Sequence, residues 1–293
     1  SFPPCPAAVG EGSNQKKFVR QPVHYCKKKG PDKGRKIYTQ GNNNTKNSTN
    51  MKKSTIALAA LMALSVTGAK AQDKVEGTIG ADIVSRYYWR GQALGDGAIQ
   101  PTLGLSWKGL SLTAWGSYGF VDTKDTKEFD LTLAYSTGGF HAGITDYWFD
   151  RGVSFDGTPF EDAKYFSYAA HKTSHVYEAN VGYDFGVVAL NWYTNFAGND
   201  GVNKDGDRAY SSYVEAAAPF KLGGLDWTAT VGAVPYRTSF YSEAKGFAVT
   251  NVSLKATKDL KITDKFSVPV FAQVAANPSS GNVFFLVGCT CQP

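Results

Sequence analysis

Cysteine is missing from most of this 293-residue chain. Cys5 and Cys26 fall near its start and Cys289 and Cys291 at its end, so none lies between Gln72 and Gly288. A disulfide framework is therefore excluded for the main fold, and a C-x-C pair at a frayed end is weak as a metal site. Long apolar runs are missing too. A spanning helix needs about 20 apolar residues, and the best candidate, Ile56–Val66, is far shorter. No segment beyond it carries a helical period. The net charge of +6 looks like a basic protein's, but the charge is unevenly placed. Residues 1–71 hold 13 of the 31 Lys/Arg and 2 of the 25 Asp/Glu, which leaves 18 against 23, a net −5, for residues 72–293. Nothing in that part suggests nucleic-acid binding.

The short apolar run has a meaning of its own. Lys52 and Lys53 precede it and Ala69-Lys70-Ala71 follows it, the three parts of an export signal: positive n-region, apolar h-region and small-residue cleavage site. The expectation is that translation starts at Met51, that residues 51–71 are the signal peptide and that Gln72 begins the mature chain. Residues 1–50, polar and without hydrophobic period, then read as a non-native, disordered translated leader. A basic nucleic-acid arm is the alternative, but a signal peptide is not expected to work from fifty residues inside a chain.

From Thr78 on, apolar and polar residues alternate in runs of about ten, the signature of a transmembrane β-barrel. In the first run Ile79, Ala81, Ile83, Tyr87 and Trp89 share one face, and Thr78, Asp82, Arg86 and Arg90 the other. Runs at 99–107, 110–120, 128–136 and 140–148 follow, then 176–184, 187–196, 210–220, 225–234, 247–257, 266–275 and 283–288. That makes twelve, an even number, as bacterial barrels have. Asp146 breaks the parity of its run, which suits a rim position. Tight Gly-bearing turns (107–109, 136–139, 184–186, 221–224) and the 258–265 connection alternate with longer polar stretches at 91–97, 121–127, 149–174, 197–208, 236–245 and 276–282. Short periplasmic turns and long outer loops produce that asymmetry. A soluble β-sandwich also alternates; long strands, an export signal and aromatics at strand ends (Tyr87, Tyr88, Trp89; Trp107; Tyr147, Trp148, Phe149; Trp192, Tyr193) favour the barrel. The predicted fold is all-β: a closed antiparallel transmembrane barrel of about twelve strands over residues 72–293.

If even positions of the first strand face the lumen, Asp82, Arg86 and Arg90 climb one wall. Glu128, Asp130, Glu178, Asn180, Asn191, Asn195, Glu215, Asp226, Lys255 and Gln273 take the inward parity elsewhere. The pore-lining candidates are accordingly Asp82, Arg86, Arg90, Glu128, Asp130, Glu178, Glu215 and Lys255. They line a wet pore and bias which solutes pass, or they pair across a narrow lumen and plug it; twelve strands enclose more than the filled eight and less than the open sixteen of large porins.

Other features read more plainly. Trp89 and Arg90 are expected to be a girdle residue and its rim partner rather than a ligand contact. His141, His171 and His175, beside Ser167 and Ser174, lack the context of a hydrolase site and are expected to be exposed loop residues. The Asn199–Asp207 stretch hints at calcium but lacks an EF-hand's ligand spacing, so a solvated loop turning on Gly is expected. The longest loop, Phe149–Ser174, carries Phe155, Phe160, Tyr165, Phe166 and Tyr168, and so many aromatics predict that it folds inward or touches a partner.

Val84–Gln92, V-S-R-Y-Y-W-R-G-Q, resembles the first strand of the TorF-type porins of Gram-negative outer membranes. Ile144-Thr145-Asp146-Tyr147-Trp148, Tyr213-Val214-Glu215 before Pro219-Phe220, and Phe266-Ser267-Val268-Pro269-Val270-Phe271 fit the same pattern. The resemblance covers residues 75–288. It implies an outer-membrane porin whose partners are lipid, small solutes and the barrel assembly machinery, with no catalytic motif to carry over. One departure stands out. Such barrels end on an aromatic residue that is read during assembly, whereas Gly288 is followed here by Cys289-Thr290-Cys291-Gln292-Pro293, foreign in character. The expectation is a passive, mildly cation-preferring pore with no enzyme activity, cofactor or metal; the alternative is a closed structural or surface-interaction barrel.

Overall fold

The computed structural model describes residues 74–292 except 123, 155–156, 170–172, 242–243 and 265. The leader, the signal segment, Phe155 and His171 lie outside the described residues. Among the described residues there are sixteen strands: β1 (Glu76–Val84), β2 (Tyr87–Trp89), β3 (Gln92–Gly95), β4 (Ala98–Trp107), β5 (Leu110–Gly119), β6 (Glu128–Thr137), β7 (Phe140–Phe149), β8 (Gly152–Val153), β9 (Pro159–Phe160), β10 (His175–Asp184), β11 (Ala189–Gly198), β12 (Ser212–Leu222), β13 (Leu225–Val234), β14 (Ala248–Lys261), β15 (Ser267–Asn277) and β16 (Asn282–Cys291). Twelve form one closed antiparallel barrel in the order β1-β16-β15-β14-β13-β12-β11-β10-β7-β6-β5-β4, β4 returning to β1; β2–β3 and β8–β9 are separate two-stranded ribbons.

Side chains alternate across the wall as the pleat demands. Outward positions are apolar and exposed: Ile79, Leu103, Leu105, Leu133, Ile144, Val231 and Val274 are each at least half exposed. Inward positions hold Asp82, Gln100, Ser117, Glu128, Asp130, Glu178, Asn180, Asn195 and Asn251, all buried. A sandwich would have the opposite arrangement, with its apolar faces hidden between two sheets.

The tight turns follow from local chemistry. Lys108 (φ 48°) and Gly109 (φ 84°) link β4 to β5, the paired left-handed conformation that two-residue hairpin loops require. Two connections differ from expectation. The last strand runs past Gly288 to Cys291 and supplies the closing register Ala81↔Cys291, Asp82↔Thr290, Ile83↔Cys289 and Val84↔Gly288. The final outer loop shrinks to a four-residue turn, 278–281, because Asn277 Oδ1 accepts the amides of Ser279 (3.0 Å) and Ser280 (3.1 Å).

Candidate functional site

The first run does not continue as one strand. β1 stops at Val84, and Ser85 is held against β16 both by its amide, which donates to the Val287 carbonyl at 2.9 Å, and by its Oγ, which accepts from the Val287 amide at 2.9 Å. The chain then bends, and Tyr87–Gly95 forms the β2–β3 ribbon, Trp89 paired with Gln92. Its tip is Arg90 (φ 47°) and Gly91 (φ 89°). A Cβ on Gly91 would run into the Thr250 carbonyl, and Asn277 Nδ2 donates to the Gly91 carbonyl at 3.0 Å. Arg90 is the informative partner, since a non-Gly residue at positive φ is uncommon and such strain gathers at functional sites.

The ribbon crosses the barrel's interior. β11 stands six places from β1 in the ring of twelve, and Arg90, starting from β1, reaches the strands opposite. Its Nη1 and Nη2 form a two-pronged ion pair with Glu178 of β10, the Nη2 prong at 3.0 Å. The guanidinium lies 3.7 Å from the ring centre of Tyr193 (β11) and 4.4 Å from that of Trp89, with Tyr213 (β12) at 5.2 Å. Nη1 also donates to Tyr241 Oη at 2.8 Å, while Tyr241 and Tyr147 donate to Glu178 at 2.5 and 2.9 Å. Tyr241 comes from the 235–247 loop, which also turns inward. Burial and the facing Glu178 charge push its phenol up, so it keeps the proton it donates. Burial opposes the Arg90 charge, but Glu178 more than restores it and holds the guanidinium above its ordinary value. The β10–β11 register shifts between Tyr177 and Glu178, leaving Phe196 of β11 as the extra, bulged residue beside the site. Arg90 and Glu178 are both buried.

The remaining candidates spread along the lumen. Glu128 accepts from Tyr87 Oη at 2.6 Å and shares a hydrogen bond with Asp130. Glu215 accepts from Tyr213 Oη at 2.8 Å, and Asn251 joins Tyr88 and Tyr213. Nearer the turn end Asp82 bonds the Thr290 side chain and feels the charge of Lys255, whose Nζ lies 4.0 Å over Phe271. Arg86 departs from the predicted wall: the strand has ended before it, and it sits half-exposed, paired with Asp96 at 3.2 Å. Trp89 and Arg90 are not a girdle and rim pair either, because the ribbon carries them inside. Tyr87, Tyr147 and Tyr193, expected in the girdles, are likewise buried inward. The tyrosines around Arg90 escape the sequence reading. Tyr147, Tyr193 and Tyr213 share the inward parity of Thr145, Asn195 and Glu215, so a strict alternation count would find them; Tyr241, in a loop, gives no signal.

The long loop folds outward, not inward. Tyr165 packs on Phe129 and Trp148 of the outer wall, at 5.4 and 5.8 Å between ring centres, and Tyr165 and Tyr168 cover His175 at 5.0 and 4.6 Å. His175 and His141 are buried rather than exposed. His141 Nε2 meets Asn191 Oδ1 at 2.6 Å inside the barrel. His175 Nδ1 meets the parity-breaking Asp146 at 2.7 Å, and its Nε2 meets the Tyr165 carbonyl at 2.5 Å. Both ring nitrogens are engaged, so neither is free to serve a serine. In the calcium-like stretch, Asp200 oxygens take Asn195 Nδ2 and the Gly201 and Ser211 amides. Asn203 Oδ1 takes the Asp205 and Asp207 amides. No group of three or more metal-ligating side chains occurs among the described residues.

No family model and no curated protein matches the sequence. Among solved structures the chain is similar to Pseudomonas aeruginosa OccK2 (OpdF), with 11% identity and a TM-score of 0.31 over 72% of this chain and 61% of that one. It thus spans less than two thirds of that protein's length.

His175→Ala removes the hydrogen bond to the Tyr165 carbonyl, about 1 kcal/mol, together with the ring that Tyr165 and Tyr168 pack on, from the outward loop. Limited trypsinolysis at Lys164 is expected to accelerate roughly tenfold or more; an unchanged rate would mean the aromatic contacts alone hold the loop.

Proposed function

We propose that this chain is an outer-membrane channel through which small solutes diffuse passively, in a narrow lumen of mixed charge whose loop end the β2–β3 ribbon bridges. The observation that carries this is the reversed polarity of a closed sheet: exposed leucine, isoleucine and valine outside, buried charge inside. Water is a poor solvent for such an outer face, whereas lipid is a good one. The export signal at 51–71 and the resemblance of Val84–Gln92 to TorF-type porins support a Gram-negative outer-membrane location, with barrel assembly machinery and lipid as partners. Asp82, Glu128, Asp130, Glu178, Glu215 and Lys255 line the path, Arg90 obstructs it, and Arg86 stands at the mouth. Inward acids outnumber inward bases, so cations are preferred. No reaction and no cofactor belong to this reading.

A second reading has one observation in its favour. The ribbon's buried contacts with strands across the barrel are what a closed structural or surface-interaction barrel would also have.

Single-channel recording of the refolded chain in planar bilayers separates the two. Discrete ohmic steps with a reversal potential favouring cations support the channel. A folded, heat-modifiable barrel without steps supports the closed barrel, and anion selectivity would sink the charge argument. Independently, Leu133→Arg on the outer face is expected to cost about 2–4 kcal/mol in lipid-vesicle unfolding. A cost within about 0.5 kcal/mol, as for an ordinary water-exposed site, would mean that this face meets water.

A further inference from the structure

We infer that the chamber around Arg90 is a guanidinium-recognition site which the protein fills with its own side chain, and which accepts small guanidinium-bearing solutes when the ribbon withdraws. This rests on the channel reading above and names the solute class and the gate.

The chamber's parts come from elements other than the ribbon. Glu178 belongs to β10, Tyr147 to β7, Tyr193 to β11, Tyr213 to β12 and Tyr241 to the 235–247 loop; the ribbon adds Trp89 and the guanidinium. Withdrawing the ribbon would leave a carboxylate with phenol donors on both oxygens, surrounded by tyrosine faces. The geometry selects a planar cation. Glu178 takes the two outer nitrogens side by side, a fork that an ammonium cannot match. The ring of Tyr193 at 3.7 Å suits a flat, weakly hydrated ion stacked on an aromatic face.

The energetics couple the site to opening. A buried carboxylate deprived of its cation partner is strongly unfavourable, so the ribbon leaves at least cost when another guanidinium takes its place. The strained Arg90 backbone, at φ 47°, favours departure once that replacement exists. The Glu128–Asp130 pair, which holds a proton in its shared hydrogen bond, and Glu215, also inward in the wall, add negative potential that gathers cations and repels a solute carrying its own carboxylate. The solute expected is therefore a guanidinium without a nearby acid.

The test uses the full chain carrying Arg90→Ala in planar bilayers, with ethylguanidinium added from the loop side. The variant is expected to open more often than the unaltered protein. Ethylguanidinium should then block it at a concentration at least tenfold lower than ethylammonium of the same charge does, and adding Glu178→Gln should abolish that preference. Equal block by the two cations, or block that survives Glu178→Gln, would overturn the site. If the variant folds but stays silent, binding of ethylguanidinium followed by tryptophan fluorescence in detergent decides: selective binding upholds the site and refutes the channel, and no binding refutes the site. If Arg90→Ala does not fold, Gly91→Ala displaces the ribbon through its clash with the Thr250 carbonyl while leaving the chamber intact. In that variant, preferential block by ethylguanidinium upholds the site and equal block by the two cations overturns it.

Discussion

A sheet whose outer face is apolar cannot have a free edge. In surroundings that offer no hydrogen bonds, each unpaired N–H or C=O costs several kcal/mol, so the sheet must close on itself. Here closure falls to β1, which pairs along its full length with β4 and through its last four residues with β16. The rest of the architecture follows from this. Alternation sends one side chain in two to an enclosed interior, and apolar residues have taken the outside, so the interior inherits the polar ones. Twelve strands make that interior too wide for wall side chains to fill. Something else must occupy it or water must.

The β2–β3 ribbon and the 235–247 loop occupy its loop end, and the Arg90–Glu178 pair is where they are tied down. An isolated buried carboxylate at Glu178 would be costly, as would a lone buried guanidinium. Together, with both carboxylate oxygens receiving phenol protons and the cation stacked on Tyr193, the desolvation is offset by hydrogen bonds that water would otherwise supply. Such a pair is weak evidence of stability but good evidence of specificity, because an ammonium in its place could not satisfy a forked acceptor. The cost is a strained arginine at the tip, and Gly91 beside it absorbs the second left-handed residue where the Thr250 backbone leaves no room for a side chain.

Most of the wall is legible in the sequence, and the reason is specific. Runs such as Leu103-Gly104-Leu105-Ser106-Trp107 or Phe129-Asp130-Leu131-Thr132-Leu133 carry opposite polarity on their two faces, so strand type, facing and count come together. The ribbon is not legible because it is itself a strand. Tyr87 and Trp89 continue the odd-numbered apolar register of Ile79, Ala81 and Ile83, and only Ser85-Arg86 marks the break. Period alone cannot tell a strand that continues from one that bends inward and starts again. The same limit hides the end of β16. Cys289, Thr290 and Cys291 look like a stray tail, yet Thr290 faces inward to bond Asp82 and the pairing with Ala81, Asp82 and Ile83 is regular. Asn277-Pro278-Ser279-Ser280-Gly281 is strong turn chemistry, but its composition matches a loop equally well until the strands on either side are placed.

The two charges that break the pattern show how the barrel handles exceptions. Asp146 points outward, where an acid is out of place, and Arg90 sits inside against a fully buried partner. Each is answered in a similar way: a partner within hydrogen-bond reach, and aromatic cover supplied at least in part by a segment that returns to the wall. Tyr165 and Tyr168 roof the Asp146–His175 pair on the outside, as Trp89, Tyr193 and Tyr241 enclose Arg90–Glu178 within. The outer pair sits on the strand that carries the inner one, three residues apart at His175 and Glu178. An odd separation along a regular strand is enough to turn the two side chains to opposite faces, and each finds its partner there. That strand end is therefore tied down on both faces, and the ribbon depends on it through Arg90 while Tyr87, Tyr88 and the Gly91 carbonyl bind the ribbon to Glu128, Asn251 and Asn277 elsewhere on the wall.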